Sequence, residues 1–324
     1  MAAVGGIQHQ ELVREMILAA LKAGQETPHR ADLKLMTSTL KEMRFTSKVF
    51  GPYRDVKKVT IFGSARVPPG SSTFRMAKAL GAELAKAGYM VITGGGPGIM
   101  QAANEGAGTE HSFGVNIRLP FENTPNPIVE GTPRSITYKY FFNRKVAFIK
   151  EADAVALFPG GFGTQDEAME VLTLVQTGKR YPIPLVLVDE PGGTYWAHWK
   201  RYIEEELAGR NYIHANDFSL FDLVQSIDET VAIIDRFYRR YHSLRFVRGR
   251  LVIRLQEPLP EERLAELKKE FVDILNGEKE FSLSGALPEE ADEPMIQDLP
   301  RLVLDFNRRD YGRLRQLIDG INAD

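Results

Sequence analysis

The residues best suited to chemistry are glycines at the end of an apolar run, in the segment PGGFGT between Pro159 and Thr164. Glycine lets several backbone N–H groups converge on an anion, and a helix that follows adds unpaired N–H groups and a partial positive charge. The segment therefore predicts a phosphate-binding loop. A structural interpretation competes with it, because Thr164 and Glu167 have the spacing of a capping box, in which two side chains satisfy each other's backbone amides. The three glycines favour the anion, since an ordinary strand-to-helix turn needs less backbone freedom.

Two further predicted strands end in loops that contain glycine. The first loop is GSAR at residues 63–66, and the second is GGGPG at residues 94–98. Neither loop has the GxGxxG pattern of dinucleotide-binding proteins, and no lysine follows as it does in the GxxxxGK[ST] phosphate loop. We therefore expect a small phosphorylated ligand such as a mononucleotide. The residues of these loops expected to bind it are Gly63, Ser64, Gly95 and Gly96.

One arginine shares a helical stripe with aromatic residues. In the stretch predicted as a helix before the fourth strand, Thr137, Phe141, Arg144 and Phe148 fall on one face by their spacing. The functional interpretation places the guanidinium in a partly dry pocket, where it would hold phosphate or offset charge. The structural interpretation is a snorkelling side chain or an ion pair between subunits. Lys145 points away from this stripe, and we expect it to be exposed to solvent.

Several other chemistries are excluded or disfavoured by the sequence. The chain has no cysteine, which excludes disulfides, thiolate nucleophiles and cysteine-ligated metal centres. Its 6 histidines have neither HxxxH nor HExxH spacing, so we expect no metal site. A GxSxG nucleophile elbow is also missing, which disfavours a serine hydrolase.

Composition indicates a globular protein with neither nucleic acid nor membrane as a partner. The 324 residues are 43% hydrophobic and 26% charged, and lysine plus arginine total 41 against 43 acidic residues, a net charge of −2. This balance disfavours binding to a phosphate backbone. The first residues include charges where a signal peptide is apolar, and no apolar run approaches the about 18 residues of a membrane span. We expect a cytoplasmic protein.

Five apolar runs alternate with helical patterns, which predicts an α/β fold with a doubly wound, Rossmann-like parallel sheet. In the common strand order 3-2-1-4-5, the first and fourth strands are neighbours, so the loops at Gly63 and Gly160 would face each other across a crevice. The five runs are KVTIF, YMVIT, FGVNIRL, ADAVALF and PLVLVDE.

Three regions are predicted along the chain. Residues 1–55 form an N-terminal segment of two helices, interrupted near Gly24 and Pro28. Residues 56–241 form the nucleotide-binding catalytic domain, and residues 242–324 form a small α+β appendage. Within that appendage, the acidic and proline-containing stretch 285–300 is predicted to be a mobile loop.

Three motifs in this order resemble those of the LOG (LONELY GUY) family of phosphoribohydrolases. They are GGGPGIM at residues 94–100, the pair Arg144-Lys145 after Asn143, and PGGxGTxxE from Pro159 to Glu167. The family was historically mislabelled "lysine decarboxylase", and its relatives include nucleoside 5′-monophosphate nucleosidases. The similarity covers residues 56–241, and the compact family members lack the segments on either side.

The resemblance implies a hydrolase that cleaves the N-glycosidic bond of purine nucleoside 5′-monophosphates. AMP and N6-substituted AMP, a cytokinin riboside 5′-monophosphate, are the implied substrates, and the products are free base and ribose 5-phosphate. It implies a catalytic pair, Arg144 and Glu167, with Glu170 a weaker candidate for a second carboxylate. Hydrolysis needs no cofactor, and the family resemblance implies a homodimer or higher homo-oligomer. The residues implied to bind phosphate are Gly160, Gly161, Gly163 and Thr164.

Two alternatives remain open at this point. The same loops would serve a non-catalytic carrier of a nucleotide or of a molybdenum cofactor. Amino-acid decarboxylation with pyridoxal phosphate would need Lys145 or Lys150 as the Schiff-base lysine, and nothing in the surrounding sequence marks either residue.

Overall fold

A parallel sheet of seven strands forms the centre of the molecule in the computed structural model, which describes residues 6–27, 29–119, 124–277, 281–291 and 293–323. The strand order is β4-β3-β2-β1-β5-β6-β7, and all six neighbouring pairs are parallel. The strands are β1 (Lys58–Phe62), β2 (Met90–Thr93), β3 (Ser112–Ile117), β4 (Ser135–Tyr138), β5 (Ala154–Leu157), β6 (Leu185–Val188) and β7 (Asp222–Val224). The predicted doubly wound fold is confirmed.

Helices cover both faces of this sheet, which is why its inner strands are apolar on both sides. The helices of this part are α1 (Gln10–Glu26), α2 (Arg30–Phe50), α3 (Ser72–Lys86), α4 (Ile99–Ala107), α5 (Phe141–Glu151), α6 (Phe162–Gln176), α7 (Tyr195–Tyr202) and α8 (Ile227–Phe237). One face packs against α3, α4 and α8, and the other packs against the end of α2 and against α5, α6 and α7. Within the described residues, no helix is long and apolar enough to span a membrane.

The five predicted strands are the inner five, in the predicted order, and the two edge strands were not anticipated. The stretch predicted as one helix holds β4, where Thr137 pairs with Asn116 of β3. Thr137 is therefore not on the helical stripe, and α5 begins only at Phe141. The residues of β4 alternate between buried and more exposed positions, as expected of an edge strand, and this period-2 pattern was missed.

Two N-terminal helices are present as predicted, but α1 continues through Gly24 to Glu26; the predicted break at Pro28 lies outside the described residues. Helix α1 buries none of its residues. The C-terminal end of α2 packs on the sheet, where the Phe50 ring stacks on Phe113 with 4.4 Å between their centres.

The C-terminal part is an α+β unit, as predicted. Its antiparallel sheet has the order β10-β11-β9-β8, and two helices pack on one face around a shared apolar core. Its elements are β8 (Tyr241–Val247), β9 (Arg250–Leu255), α9 (Glu261–Glu270), β10 (Ser282–Ser284), β11 (Arg301–Leu304) and α10 (Tyr311–Asn322).

The stretch 285–300 is anchored by a buried carboxylate, so the predicted mobile loop is wrong for its described residues. Glu290 is fully buried and accepts hydrogen bonds from Arg254 Nε at 2.8 Å and Arg301 Nε at 3.1 Å. Burial of one carboxylate between two guanidinium groups fixes the segment, because moving Glu290 away would break its ion pairs with Arg254 and Arg301 in the interior. The sequence shows acidic residues here but not which of them turns inward.

Candidate active site

A cavity of about 1030 Å³ lies at the carboxyl ends of β1, β2, β3 and β5. In an open parallel sheet, this edge at the reversal of winding is where ligands bind. The structure brings the predicted catalytic pair and the predicted phosphate- and nucleotide-binding residues to the wall of this cavity, but not Glu170, the weaker candidate. The residues at the wall are Gly63, Ser64, Gly95, Gly96, Arg144, Gly160, Gly161, Gly163, Thr164 and Glu167.

The loop after β5 leads directly into α6, whose N-terminus faces the cavity. Gly161 is the N-cap and no side chain caps the helix. The first helical hydrogen bond runs from Gln165 N to Gly161 O at 3.1 Å, so the preceding N–H groups of the helix have no helical acceptor. Thr164 is therefore the third helical residue and Glu167 the sixth, and the alternative of a capping box between them is wrong.

The glycines of this loop have different reasons to be glycine. A Cβ at Gly160 would lie 2.0 Å from Thr164 Oγ1, so close packing requires glycine there. At Gly161 and Gly163 a Cβ would have no atom of the described residues within 4 Å, and neither residue has a positive φ. Neither packing nor backbone conformation requires those two glycines, and both line the cavity.

The loops after β1 and β5 touch, as predicted from the strand order. Ser64 N donates to Pro159 O at 3.1 Å, and a Cβ at Gly63 would lie 2.7 Å from the side chain of Ile99. Gly63 and Ser64 both line the cavity, and the tight packing at Gly63 leaves no room for a side chain there.

The loop after β2 is tied to the protein by its own polar groups. Gly95, at φ +71°, donates its N–H to Thr93 Oγ1 at 3.0 Å, and its carbonyl accepts from Asn126 N at 2.7 Å. Asn126 Nδ2 also donates to Gly96 O at 3.2 Å. The Gly95 amide is thus already engaged, and the loop forms a shaped wall. Sequence reasoning missed Asn126, since no local pattern links it to a loop thirty residues earlier in the chain.

Arg144 projects from α5 into the β2–β3 side of the cavity. Its Nε donates to Val115 O at 2.8 Å, and the guanidinium carbon lies 5.0 Å from the centre of the Phe148 ring. A Cβ at Gly94 would lie 2.4 Å from Arg144 Nη2, so that glycine makes room for the guanidinium. The predicted arginine–aromatic stripe on α5 is correct for Arg144 and Phe148.

Lys145 is not solvent-exposed as expected. Its side chain is 18% exposed, and Nζ lies 2.8 Å from Asp166 Oδ2 and 2.6 Å from Glu170 Oε2. Burial acts to lower the pKa of Lys145, but the hydrogen bonds with Asp166 and Glu170 hold that pKa above its usual value. Lys145 therefore joins α5 to α6 as an ion pair, and Glu170 serves this pair rather than the cavity wall.

Glu167 is the most unusual titratable group of the cavity. The residue is only 8% exposed, and its Oε2 has no hydrogen-bond partner among the described residues. Burial raises the pKa of Glu167 to about 7; the charges of Lys145 and Arg144 oppose this rise, and that of Glu170 adds to it. A carboxylate kept in this state is typical of functional sites. The sequence pointed to Glu167 but not to its burial.

Comparison with known proteins finds relatives that share one description. The protein family described as "Possible lysine decarboxylase" matches residues 86–234. The chain is 34% identical over 116 residues to the cytokinin riboside 5′-monophosphate phosphoribohydrolase LOG of Oryza sativa subsp. japonica, covering 34% of this chain and 46% of that protein. It is 31% identical over 139 residues to LOG7 of Arabidopsis thaliana, a protein of the same description. This match covers 41% of this chain and 62% of that protein. The resemblance to the LOG family is confirmed.

The LOG-like match does not extend over whole proteins. It spans 46% and 62% of the length of these two relatives, and the family match begins after Gly63 and Ser64. Among solved structures, the molybdenum cofactor binding protein of Rippkaea orientalis is 18% identical with a TM-score of 0.40, covering 56% of this chain and 96% of that chain. The N-terminal helices and the whole antiparallel sheet lie outside the family match.

We predict that Glu167→Gln stabilises the protein at pH 8. The folded-state pKa of about 7 exceeds the ordinary value of 4.5, so the folded protein loses stability as pH rises between these values. The amide carries no charge, so it should raise the free energy of unfolding at pH 8 by about 2 kcal/mol and much less at pH 4. Urea unfolding at the two pH values measures this. Glu170→Gln is the matched control, because it breaks an ion pair and should not stabilise the protein. A Glu167→Gln protein that is no more stable than wild type at pH 8 would contradict the prediction.

Proposed function

We propose that the protein hydrolyses the N-glycosidic bond of a purine nucleoside 5′-monophosphate, such as AMP or an N6-substituted AMP, to free base and ribose 5-phosphate. The observation that carries the proposal is the buried Oε2 of Glu167, which has no hydrogen-bond partner in the described part of the chain. It lies one turn along α6 from the amides of the first helical residues, which no helical acceptor engages. The LOG homologues are named phosphoribohydrolases of nucleoside monophosphates, which supports the same reaction class.

The N-terminus of α6 is the proposed phosphate site. The N–H groups of Phe162, Gly163 and Thr164 precede the first helical hydrogen bond, and the helix dipole favours a dianion at this end. Open space above Gly161 and Gly163 leaves room for phosphate oxygens to approach the backbone. The Thr164 hydroxyl, at the same wall, adds a further donor.

Glu167 is the proposed catalytic carboxylate. Three residues of helix rise by about 4.5 Å, so one helix end reaches both the phosphate and the ribose of the same molecule. When the C1′–N bond breaks, its electron pair leaves with the base and the ribose gains oxocarbenium character, which a nearby carboxylate stabilises. Water then adds to C1′, its proton passes to the carboxylate or to solvent, and the departing base takes up a proton.

Arg144 is assigned to the base end of the substrate. It lies beside the loop after β2, while the α6 amides follow β5, and β1 stands between those two strands. Two strand spacings amount to about 10 Å, which separates the guanidinium from the phosphate site. Its positive charge would then stabilise negative charge that develops on the leaving base.

Decarboxylation by a Schiff-base lysine is disfavoured by the surroundings of both lysines. A Schiff base needs a neutral amine, whereas Lys145 is held charged by Asp166 and Glu170. Lys150 pairs with Glu151 and is exposed. The homo-oligomer implied by the resemblance stays a prediction.

The decisive experiment incubates the protein with AMP, GMP, IMP and N6-isopentenyl-AMP and measures free base and ribose 5-phosphate by chromatography. We expect release of base from at least one of them. Glu167→Gln should lower kcat/KM at least about 100-fold while AMP still binds. For the wild type, kcat/KM should fall as pH decreases below about 7, because the ionised carboxylate is the active form. No free base from any monophosphate would overturn the proposal, and retained intact nucleotide would point to the carrier instead.

A second prediction separates the loop's function from its folding. Gly163→Ala should leave the free energy of unfolding unchanged or raise it by about 0.5–1 kcal/mol, because alanine is the better helix former and its Cβ meets no described atom. The same methyl group projects where phosphate would approach, so KM for the nucleotide should rise. Gly24→Ala in α1, also free of neighbours within the described chain, is the control that should leave kinetics unchanged. Equal KM for Gly163→Ala and wild type would contradict the assignment of the phosphate site.

A further inference from the structure

One carbonyl of the glycine loop is held by a side chain from a distant helix. Tyr195, the first residue of α7, donates its hydroxyl proton to Gly160 O at 2.6 Å. The same hydroxyl oxygen accepts from Gln165 Nε2, on the first turn of α6, at 2.5 Å. Tyr195 thus joins the loop before α6 to the helix itself.

The position of Tyr195 is fixed by contacts of its backbone and of its ring. Asp189 follows β6 and is 5% exposed; its Oδ2 accepts from Tyr195 N at 2.9 Å. The Tyr195 ring packs edge-on against Trp196, which is fully buried, with 4.8 Å between ring centres. These contacts leave the hydroxyl few alternative positions, because both the backbone and the ring of Tyr195 are held.

The hydrogen bond from Tyr195 fixes the orientation of the peptide unit between Gly160 and Gly161, and that orientation decides which backbone group faces the proposed anion site. A trans peptide is planar, so the carbonyl of Gly160 and the N–H of Gly161 point in opposite directions. Glycine has an unusually free backbone, and an unrestrained unit between Gly160 and Gly161 would rotate readily. A carbonyl turned towards the cavity would repel a phosphate dianion. The hydrogen bond to Tyr195 holds the Gly160 carbonyl away from the anion, so the Gly161 N–H points in the opposite direction, towards it.

We propose that Tyr195 is a positioning residue for the substrate's phosphate: it orients the peptide unit between Gly160 and Gly161 so that the loop presents N–H rather than C=O to the anion. This inference rests on the proposed function. The Tyr195 hydroxyl, from α7 outside the glycine loop, would then raise the affinity of the protein for the phosphorylated end of the substrate. Tyr195 has no contact with the reacting atoms in this assignment.

The test is Tyr195→Phe, which removes the hydroxyl and keeps the ring that packs on Trp196. Calorimetry measures the Kd of ribose 5-phosphate and of adenosine, which lacks the phosphate, and steady-state kinetics measures KM and kcat for AMP. We expect the Kd of ribose 5-phosphate and the KM for AMP to rise about tenfold, with kcat and the Kd of adenosine within a factor of two. The matched control is Tyr202→Phe, an exposed tyrosine on the same helix, which should change none of these values.

The outcomes separate this inference from the proposed function. Equal Kd values of ribose 5-phosphate for the wild type and for Tyr195→Phe would overturn this inference and leave the proposed function standing. Equal weakening of ribose 5-phosphate and adenosine would also overturn it, because that pattern indicates a general structural role. A wild type that neither binds ribose 5-phosphate nor hydrolyses any monophosphate would overturn the proposed function, and this inference with it.

Discussion

A carboxylate withdrawn from water is costly to keep charged, and the chemistry proposed for this cavity depends on that cost at Glu167. Burial places its pKa at about 7, so the group changes charge near neutral pH, while the nearby positive charges of Lys145 and Arg144 prevent a larger rise. The ion pairs of Lys145 with Asp166 and Glu170 hold α5 against α6 around this group. An uncharged residue at this position would make the protein more stable. A buried carboxylate that lowers stability is therefore an indication of a functional role.

The parallel sheet determines what Glu167 can act on. Because β1 and β5 are neighbours, their two glycine-containing loops meet at the edge where α6 begins, and the helix end and its carboxylate share one cavity. The loop after β2 closes the other side, with its Gly95 amide bound to Thr93 and its carbonyl to Asn126. The start of α6 offers backbone N–H groups without a helical acceptor, whereas the Gly95 amide and carbonyl on the other side are engaged by protein groups. This difference supports the proposed position of the phosphorylated end of the substrate at α6.

The sequence predicts those parts of the site that have local signals. Glycine runs after apolar strands identified the loops, and the motif from Pro159 to Glu167 identified the carboxylate. Predictions failed where a residue's role depends on a partner distant in the chain: Lys145 looks like a solvated neighbour of Arg144 until α6 packs beside it. Tyr195 reaches Gly160 across 35 positions, and no periodicity reveals such a contact. The short edge strands were missed because four residues of β4 give too little pattern to compete with a helical assignment.

The most direct measurement of the central claim is a crystal structure of the protein with ribose 5-phosphate bound at pH 8. We expect phosphate oxygens within about 3 Å of the N–H groups at the start of α6, and Glu167 Oε2 beside the ribose. Phosphate bound elsewhere in the cavity, with Glu167 in contact with protein atoms alone, would contradict the central claim.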